Sequence, residues 1–302
     1  MVSPPPAPLV IALLGPTASG KTELGIALAQ ALDLAVLSVD SRQLYRRMDI
    51  GTAKPTPEQQ HRARHELLDL RDPDDPITLQ AFRDLALEAI AAEHQRRGIA
   101  LLVGGSGLYL QALTQGLEPP AVAPQPALRE QFSRLGQPHC RALLQQVDPV
   151  AAARIMVNDA VRTQRALEVF YATGRALSGL RNRSTPPWTV LELGLNPPDL
   201  NQRINLRTHH LYEQGMVEET ASLLADYGDA CPLLDTIGYG EARRLLNGSM
   251  KKAEAIDLTA QRTRQFAKRQ RTWFRRQHQP IWLEPGVSAL HEALQRIEQV
   301  LG

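Results

Sequence analysis

An α/β protein built on a doubly wound, mostly parallel sheet with a helical insertion is the architecture this sequence predicts, and three observations predict it. The apolar run Leu9–Leu14 enters a glycine turn and then an apolar-periodic segment at 24–32, the strand–turn–helix unit that opens such sheets. Short apolar runs follow at 35–39, 66–70 and 99–103, with a helical pattern across 79–97; strands that alternate with helices pair in parallel. From about position 116 the character changes to a proline-rich passage through 126 and helical stretches near 128–135 and 159–172.

A strand at 189–193 brings the chain back to the sheet, helical patterns cover 199–227 and 251–279, and a strand at 281–283 and a helix at 287–300 close the sequence. The expected organisation is a first part of the α/β core at 1–115, a helical insertion at 116–187, and the second part of the core with basic helices at 188–302. A chain of 302 residues can bury such a core with an added module. With 43% hydrophobic and 22% charged residues, wholesale disorder and fibrous repeats are excluded.

The longest apolar stretch, Leu9–Leu14, is far too short to span a bilayer, and residues 1–6 lack the basic and long apolar regions of a secretory signal, reading instead as a short loose tail. Cys140 and Cys231 have neither CxxC spacing nor neighbouring histidines for a zinc site. A reduced, cytoplasmic protein without a membrane partner is expected. The net charge of +2 is too small to argue for nucleic acid by itself, so the placement of charge matters more than its sum.

Gly15, Pro16, Thr17, Ala18, Ser19, Gly20, Lys21 and Thr22 match G-x-x-x-x-G-K-[ST], the phosphate-binding P-loop. Its backbone N–H groups cradle phosphate oxygens, its lysine adds positive charge, and Thr22 is the expected Mg2+ ligand. The fold expected is thus P-loop NTPase-like. A P-loop fixes a polyphosphate but not a reaction.

Asp40 ends the second expected strand, where ligands approach such sheets, and can accept a proton, hold magnesium or cap the following turn. Gly104–Gly107 is either a tight strand-to-helix connection or a binding turn. Segment 262–276 holds seven Lys/Arg and no acid, with Arg264, Lys268, Arg271 and Arg275 on one helical face. Phe266, Gln270, Trp273 and Phe274 fall elsewhere, so that side is expected to pack on the core while the stripe meets a phosphate backbone or simply solvent. Arg154, Arg162, Arg165, Arg175, Arg181 and Arg183 add positive charge to the insertion.

Together these stretches resemble the tRNA dimethylallyltransferase (tRNA isopentenyl transferase) family. The resemblance rests on 15–22, Asp-Ser-Arg-Gln-Leu-Tyr at 40–45, Asp-Ile-Gly-Thr-Ala-Lys-Pro at 49–55, the Gly-Gly-Ser-Gly-Leu-Tyr turn from 104, the helix within 158–174, Ile-Gly-Tyr near 236–241, and 263–275. It covers roughly 9–283 in the family's order. Arg42 stands where the family usually has Met or Ala, Ser106 replaces Thr, and Arg64-His65-Glu66-Leu67 replaces a His-His-Leu run. Eukaryotic relatives often append a zinc finger; the 302 residues lack the cysteines for one, so the resemblance implies the bacterial type.

The resemblance implies transfer of a dimethylallyl group from dimethylallyl diphosphate to the N6 amine of the adenosine beside the anticodon in tRNA, using Mg2+; a monomer is expected. It implies Asp40 as base with Lys21 and Arg207 as further catalytic groups; Arg203 is the alternative to Arg207 on the same helix. Ser41, Arg42, Gln43 and Ser106 would line the base, and Arg162, Arg165, Lys268, Arg269, Arg271 and Arg275 would touch the tRNA anticodon stem-loop. Three rival readings share the P-loop: a small-molecule kinase, an adenylate isopentenyltransferase using a free nucleotide, and an RNA-binding switch that transfers nothing.

Overall fold

Strand β1 (Leu9–Leu14) is buried along its whole length because both its faces meet protein. Helix α1 (Lys21–Leu32), β2 (Val36–Val39), α2 (Pro57–Arg62), β3 (His65–Glu66), α3 (Leu79–Arg97), β4 (Ile99–Gly104) and α4 (Gly107–Thr114) follow it. These come from a computed structural model that describes residues 7–180, 182–286 and 288–302. The readings that fall on the 1–6 tail, on Arg181 and on the first residue of the expected 287–300 helix lie outside the described residues.

The second half of the core contributes β7 (Thr189–Leu195), α9 (Leu200–Glu213), α10 (Met216–Tyr227), α11 (Tyr239–Leu246), α12 (Lys252–Gln277), β8 (Ile281–Leu283) and α13 (Ser288–Leu301). Its six-stranded sheet has the order β3-β2-β4-β1-β7-β8, every neighbouring pair parallel. Alternation along β1 divides the core in two. Leu9, Ile11 and Leu13 pack with Leu24 and Leu28 of α1 and Ala293 and Ile297 of α13. Val10, Ala12 and Leu14 face Phe82 and Ile90 of α3, Leu110 of α4 and Phe274 of α12. Each fully buried Leu, Ile or Val contributes roughly 1.5–3 kcal/mol, so covering both faces of a central strand is a large part of what holds the sheet. This is the doubly wound arrangement the alternating pattern predicted.

Residues Gly116–Thr185 form a second compact unit. It contains β5 (Leu117–Glu118), α5 (Pro126–Leu135), α6 (Gln137–Val147), α7 (Pro149–Arg154), α8 (Ala160–Thr173) and β6 (Asn182–Arg183), with β5 and β6 paired antiparallel. Phe132, Cys140, Leu144, Ile155, Ala166, Leu167 and Val169 make a core of its own. Asp159 caps α8 by accepting from the Arg162 amide, and the buried Glu168 is held by Arg129, Arg165 and the Gln125 amide.

The structure corrects two expected elements. The strand expected at 66–70 stops after His65–Glu66 because Leu67 and Asp69 hold φ of 63° and 53°, which extended backbone cannot contain. Lys54 pins this bend, its buried ammonium donating to the Asp69 and Asp49 carboxylates at 2.5 Å and to the Tyr45 carbonyl at 2.8 Å. The helix expected over 199–227 is two helices that part at Gln214 and Gly215, where glycine is a poor helix former. Among the described residues no helix is long and apolar enough to cross a membrane.

Candidate active site

The loops that leave the carboxyl ends of β1, β2 and β4 open together onto one cavity of about 1290 Å3. Residues 17–22, 40–43 and 104–106 line it, facing Arg203 and Arg207 of α9 and Phe266, Arg269 and Gln270 of α12. Its location at the strand ends is where open α/β sheets hold ligands.

The 15–22 loop is shaped for an anion. Ala18 at its tip holds φ of 63°, a left-handed conformation that costs an alanine roughly 1–2 kcal/mol, and such cost gathers at functional sites. Helix α1 begins at Lys21 with no side-chain cap, so its first-turn N–H groups remain available. The Lys21 ammonium donates to the Pro16 carbonyl at 2.7 Å and lies 3.4 Å from the Ser19 hydroxyl. Burial lowers the Lys21 pKa to about 7; Asp40 opposes this and Arg207 adds to it. Arg207 is likewise shifted down by burial and supported by Asp40. Lys21, Asp40 and Arg207 are therefore electrostatic neighbours around one space.

Arg207 donates to the Thr17 hydroxyl at 3.2 Å, whereas Arg203 is held on its own helix by Asp199 at 2.9 Å. The Thr17 amide does not point to a free anion position: it donates to the Gln270 side-chain carbonyl at 2.9 Å. Thr22 stands in the first turn of α1 and lines the cavity with Asp40. A hydroxyl and a carboxylate are hard oxygen donors of the type magnesium takes together with water and substrate phosphates, so the residues present fit that ion.

At the end of β2, one Asp40 carboxylate oxygen accepts from the Arg42 amide at 2.9 Å, so the aspartate shapes its own turn as well as facing the cavity. Ser41 and Ser106 meet directly, the Ser41 amide donating to the Ser106 hydroxyl at 2.9 Å. The Gln43 amide group is engaged at both ends, accepting from Ser38 at 3.1 Å and donating to the Ala53 carbonyl at 3.0 Å. Beyond it, Glu219 of α10 accepts from the Asp49, Ile50 and Gly51 amides and from the Tyr239 hydroxyl at 2.6 Å. Burial and the neighbouring Glu219 raise the Tyr239 pKa, so the phenol stays neutral and donates. The floor of the cavity is thus built on a satisfied carboxylate.

The basic stripe of α12 divides in two. Arg271 donates to Asn196 at 2.6 Å and Arg264 donates to Asn205, while Lys268, Arg269 and Arg275 are exposed. Phe274 is buried as its position predicts, but Phe266 is not: it is 38% exposed and lines the cavity, with the Arg269 guanidinium 5.8 Å from its ring centre. The face of α12 that packs on protein further along passes over open space at this turn. Gln270 and Phe266 are the site residues that sequence patterning assigned to packing. In the 116–185 unit Arg162 is exposed beside Asp159, and Arg165 is drawn inward to Glu168 and the Val122 carbonyl.

The comparisons with known proteins agree with this geometry. Residues 43–277 match the family model described as IPP transferase. Proteins named tRNA dimethylallyltransferase from Synechococcus sp. (strain WH7803) and Parasynechococcus marenigrum (strain WH8102) are 62% and 63% identical over 98% of this chain, covering 95% and 99% of their own lengths. The full-length tRNA isopentenylpyrophosphate transferase of Bacillus halodurans superposes with a TM-score of 0.72 at 33% identity, covering 97% of each chain. A eukaryotic dimethylallyltransferase described as acting on tRNA gives 0.80 at 26% identity over 96% of this chain and 77% of its own. A family match across most of the sequence, joined to a loop, an aspartate and two cations that share one cavity, leaves one conclusion: this chain belongs to the IPP transferase family.

Proposed function

We propose that the protein transfers a dimethylallyl group from dimethylallyl diphosphate to the N6 amine of the adenosine 3′-adjacent to the anticodon in tRNA, releasing diphosphate. The observation that carries this reading is the convergence of Lys21, Arg207 and Asp40 on one cavity. Two cations and the α1 N-terminus suit a leaving diphosphate; the carboxylate suits an acceptor that must lose a proton. In the step itself the C1–O bond of the donor breaks with its electron pair going to diphosphate, the N6–C1 bond forms, and the N6 proton passes to Asp40.

Stabilising the departing oxygens is the main demand, and Lys21, Arg207 and the first-turn amides of α1 would meet it. Magnesium held at Thr22 would neutralise charge on the same oxygens. Adenine N6 is a weak nucleophile because its lone pair is delocalised, so a carboxylate that takes its proton raises its reactivity. An anticodon-loop base can be turned out into a cavity at limited unstacking cost. Ser41, Arg42 and Ser106 would receive it, and the exposed cations of α12 together with Arg162 would hold the RNA backbone. We read the working form as a cytoplasmic monomer; the free, buried Cys140 and Cys231 suit a reducing compartment.

The test is mass spectrometry of unmodified tRNA incubated with the protein, magnesium and dimethylallyl diphosphate, beside reactions holding ATP and no prenyl donor. One adenosine next to the anticodon that gains a five-carbon unit is the expected result. Unmodified tRNA with ATP consumed would return the P-loop to a kinase reading.

A further inference from the structure

Gln270 is more than nine-tenths buried, yet it is a polar residue in the middle of the longest helix of the core. Both ends of its amide are used. Its carbonyl accepts from the Thr17 amide at 2.9 Å, and its NH2 donates to the Gly105 carbonyl at 2.8 Å. A single side chain of α12 thereby spans the loop after β1 and the turn after β4. Residue 105 is glycine where this approach demands it: a Cβ there would stand 2.5 Å from the Gln270 amide nitrogen.

The two partners belong to opposite halves of the reaction. Thr17 is the residue whose hydroxyl takes Arg207, and its loop leads to Lys21. Gly105 precedes Ser106, whose hydroxyl receives the Ser41 amide next to Asp40 and whose own amide donates to the Val39 carbonyl. A buried amide is satisfied in one way only when donor and acceptor must both be met, so Gln270 fixes the spacing between the loops as well as joining them. Transfer by displacement is sensitive to that spacing, since a misplacement of about 1 Å can cost about 100-fold in rate.

We propose that Gln270 is a positioning residue for group transfer: it sets the distance between the diphosphate-holding loop and the Asp40–Ser106 side that receives the acceptor. This rests on the transferase reading above. Its signature is a loss in kcat with little change in the affinity for either substrate, because each half of the site stays intact.

The experiment compares the wild-type protein with Gln270→Glu, which keeps length and the acceptor for Thr17 but loses the donor to Gly105. A second variant, Gly105→Ala, displaces the same amide from the other side and leaves α12 untouched. Each is assayed for prenylation of an anticodon stem-loop RNA, for binding of inorganic diphosphate with magnesium, and for thermal unfolding. The expected result is a kcat at least tenfold lower in both variants, with diphosphate affinity and the RNA KM within about threefold of wild type. Unchanged kcat in either folded variant overturns the proposal, as does a loss confined to the RNA KM, which would make Gln270 an RNA-binding residue. If Gln270→Glu does not fold, Gly105→Ala decides alone. A wild-type protein that transfers nothing would defeat the transferase reading itself, a result separate from any difference between variants.

Discussion

The Arg207 guanidinium of α9 reaches across to the Thr17 hydroxyl at 3.2 Å, tying the second half of the chain to the loop that opens the first. Burial works against its charge, and Asp40 is the group that supports it. A half-buried cation kept beside a phosphate loop can meet charge that develops on a leaving group. Arg207→Ala is expected to lower kcat by about 100-fold, the scale found on removing one donor to a developing oxyanion. Arg203→Ala, whose side chain is already held by Asp199, is expected to cost much less. Steady-state prenylation assays at saturating donor separate the two; equal losses would contradict the assignment.

Lys21 makes donor binding depend on pH. In the free protein burial brings its pKa to about 7, so above neutrality much of it is uncharged. Diphosphate favours the ammonium and raises that pKa. The bound state therefore holds more protons than the free state, and apparent donor affinity must fall as pH rises above about 7. Calorimetry of diphosphate binding in two buffers of different ionisation enthalpy is expected to show proton uptake near pH 8 in the wild type, and that uptake disappears in Lys21→Met.

Asp40→Asn keeps the size of the side chain and its turn, because the amide oxygen can still accept from the Arg42 amide. It cannot take the N6 proton. Turnover is expected to drop by about 100-fold or more with donor and RNA binding retained, the usual scale for loss of a general base. Loss of magnesium-dependent donor binding instead would make Asp40 an ion ligand, and unchanged turnover would remove it from the chemistry.

On α12 the exposed Lys268, Arg269 and Arg275 are free to meet phosphates, while Arg264 and Arg271 already donate to Asn205 and Asn196. Replacing each exposed cation with alanine should weaken RNA binding and reduce the slope of log affinity against log salt by roughly one for each phosphate no longer neutralised. Filter-binding titrations at several salt concentrations measure this. For Lys268→Ala and Arg275→Ala, which lie outside the cavity lining, the kcat at saturating RNA should stay near the wild-type value.

Much of this site was legible because its signals are local. Residues 15–22 announce a phosphate cradle in one unbroken stretch, and Asp40 follows a strand whose apolar pattern is plain. Gln270 was not legible, since its partners lie 165 and 253 positions away and a glutamine within a helical pattern carries no mark of what it spans. Phe266 misled for a related reason: periodicity places it on the packing face, but α12, buried at Ala255 and Thr259 before it and at Gln270 and Phe274 after it, passes over the cavity in between. The bend at Leu67–Asp69 was hidden because the apolar run there reads as strand, and the lysine that pins it, Lys54, comes earlier in the chain. Local chemistry can be read from neighbours in sequence; long-range struts and bends cannot.

Glu168 allows a prediction about the 116–185 unit by itself. Its carboxylate is fully buried; burial raises its pKa, but Arg129, the Gln125 amide and Arg165 outweigh this and bring it to about 2. A folded-state pKa below the unfolded value means that the group stabilises above about 4.5 and that this contribution is lost as pH falls toward 2. Glu168→Gln leaves two half-exposed guanidinium groups facing a neutral partner, a loss smaller than the about 3–5 kcal/mol of breaking a fully buried pair from one side. Hydrogen exchange should therefore accelerate across 116–185 in the variant, with the strands of the sheet unaffected because their core is separate. The gap between variant and wild type should narrow between pH 4.5 and 2. Arg165→Ala should reproduce part of the same loss, since its guanidinium is spent on Glu168 and the Val122 carbonyl, whereas Arg162→Ala, exposed beside Asp159, should leave the unit's exchange unchanged and weaken RNA binding alone.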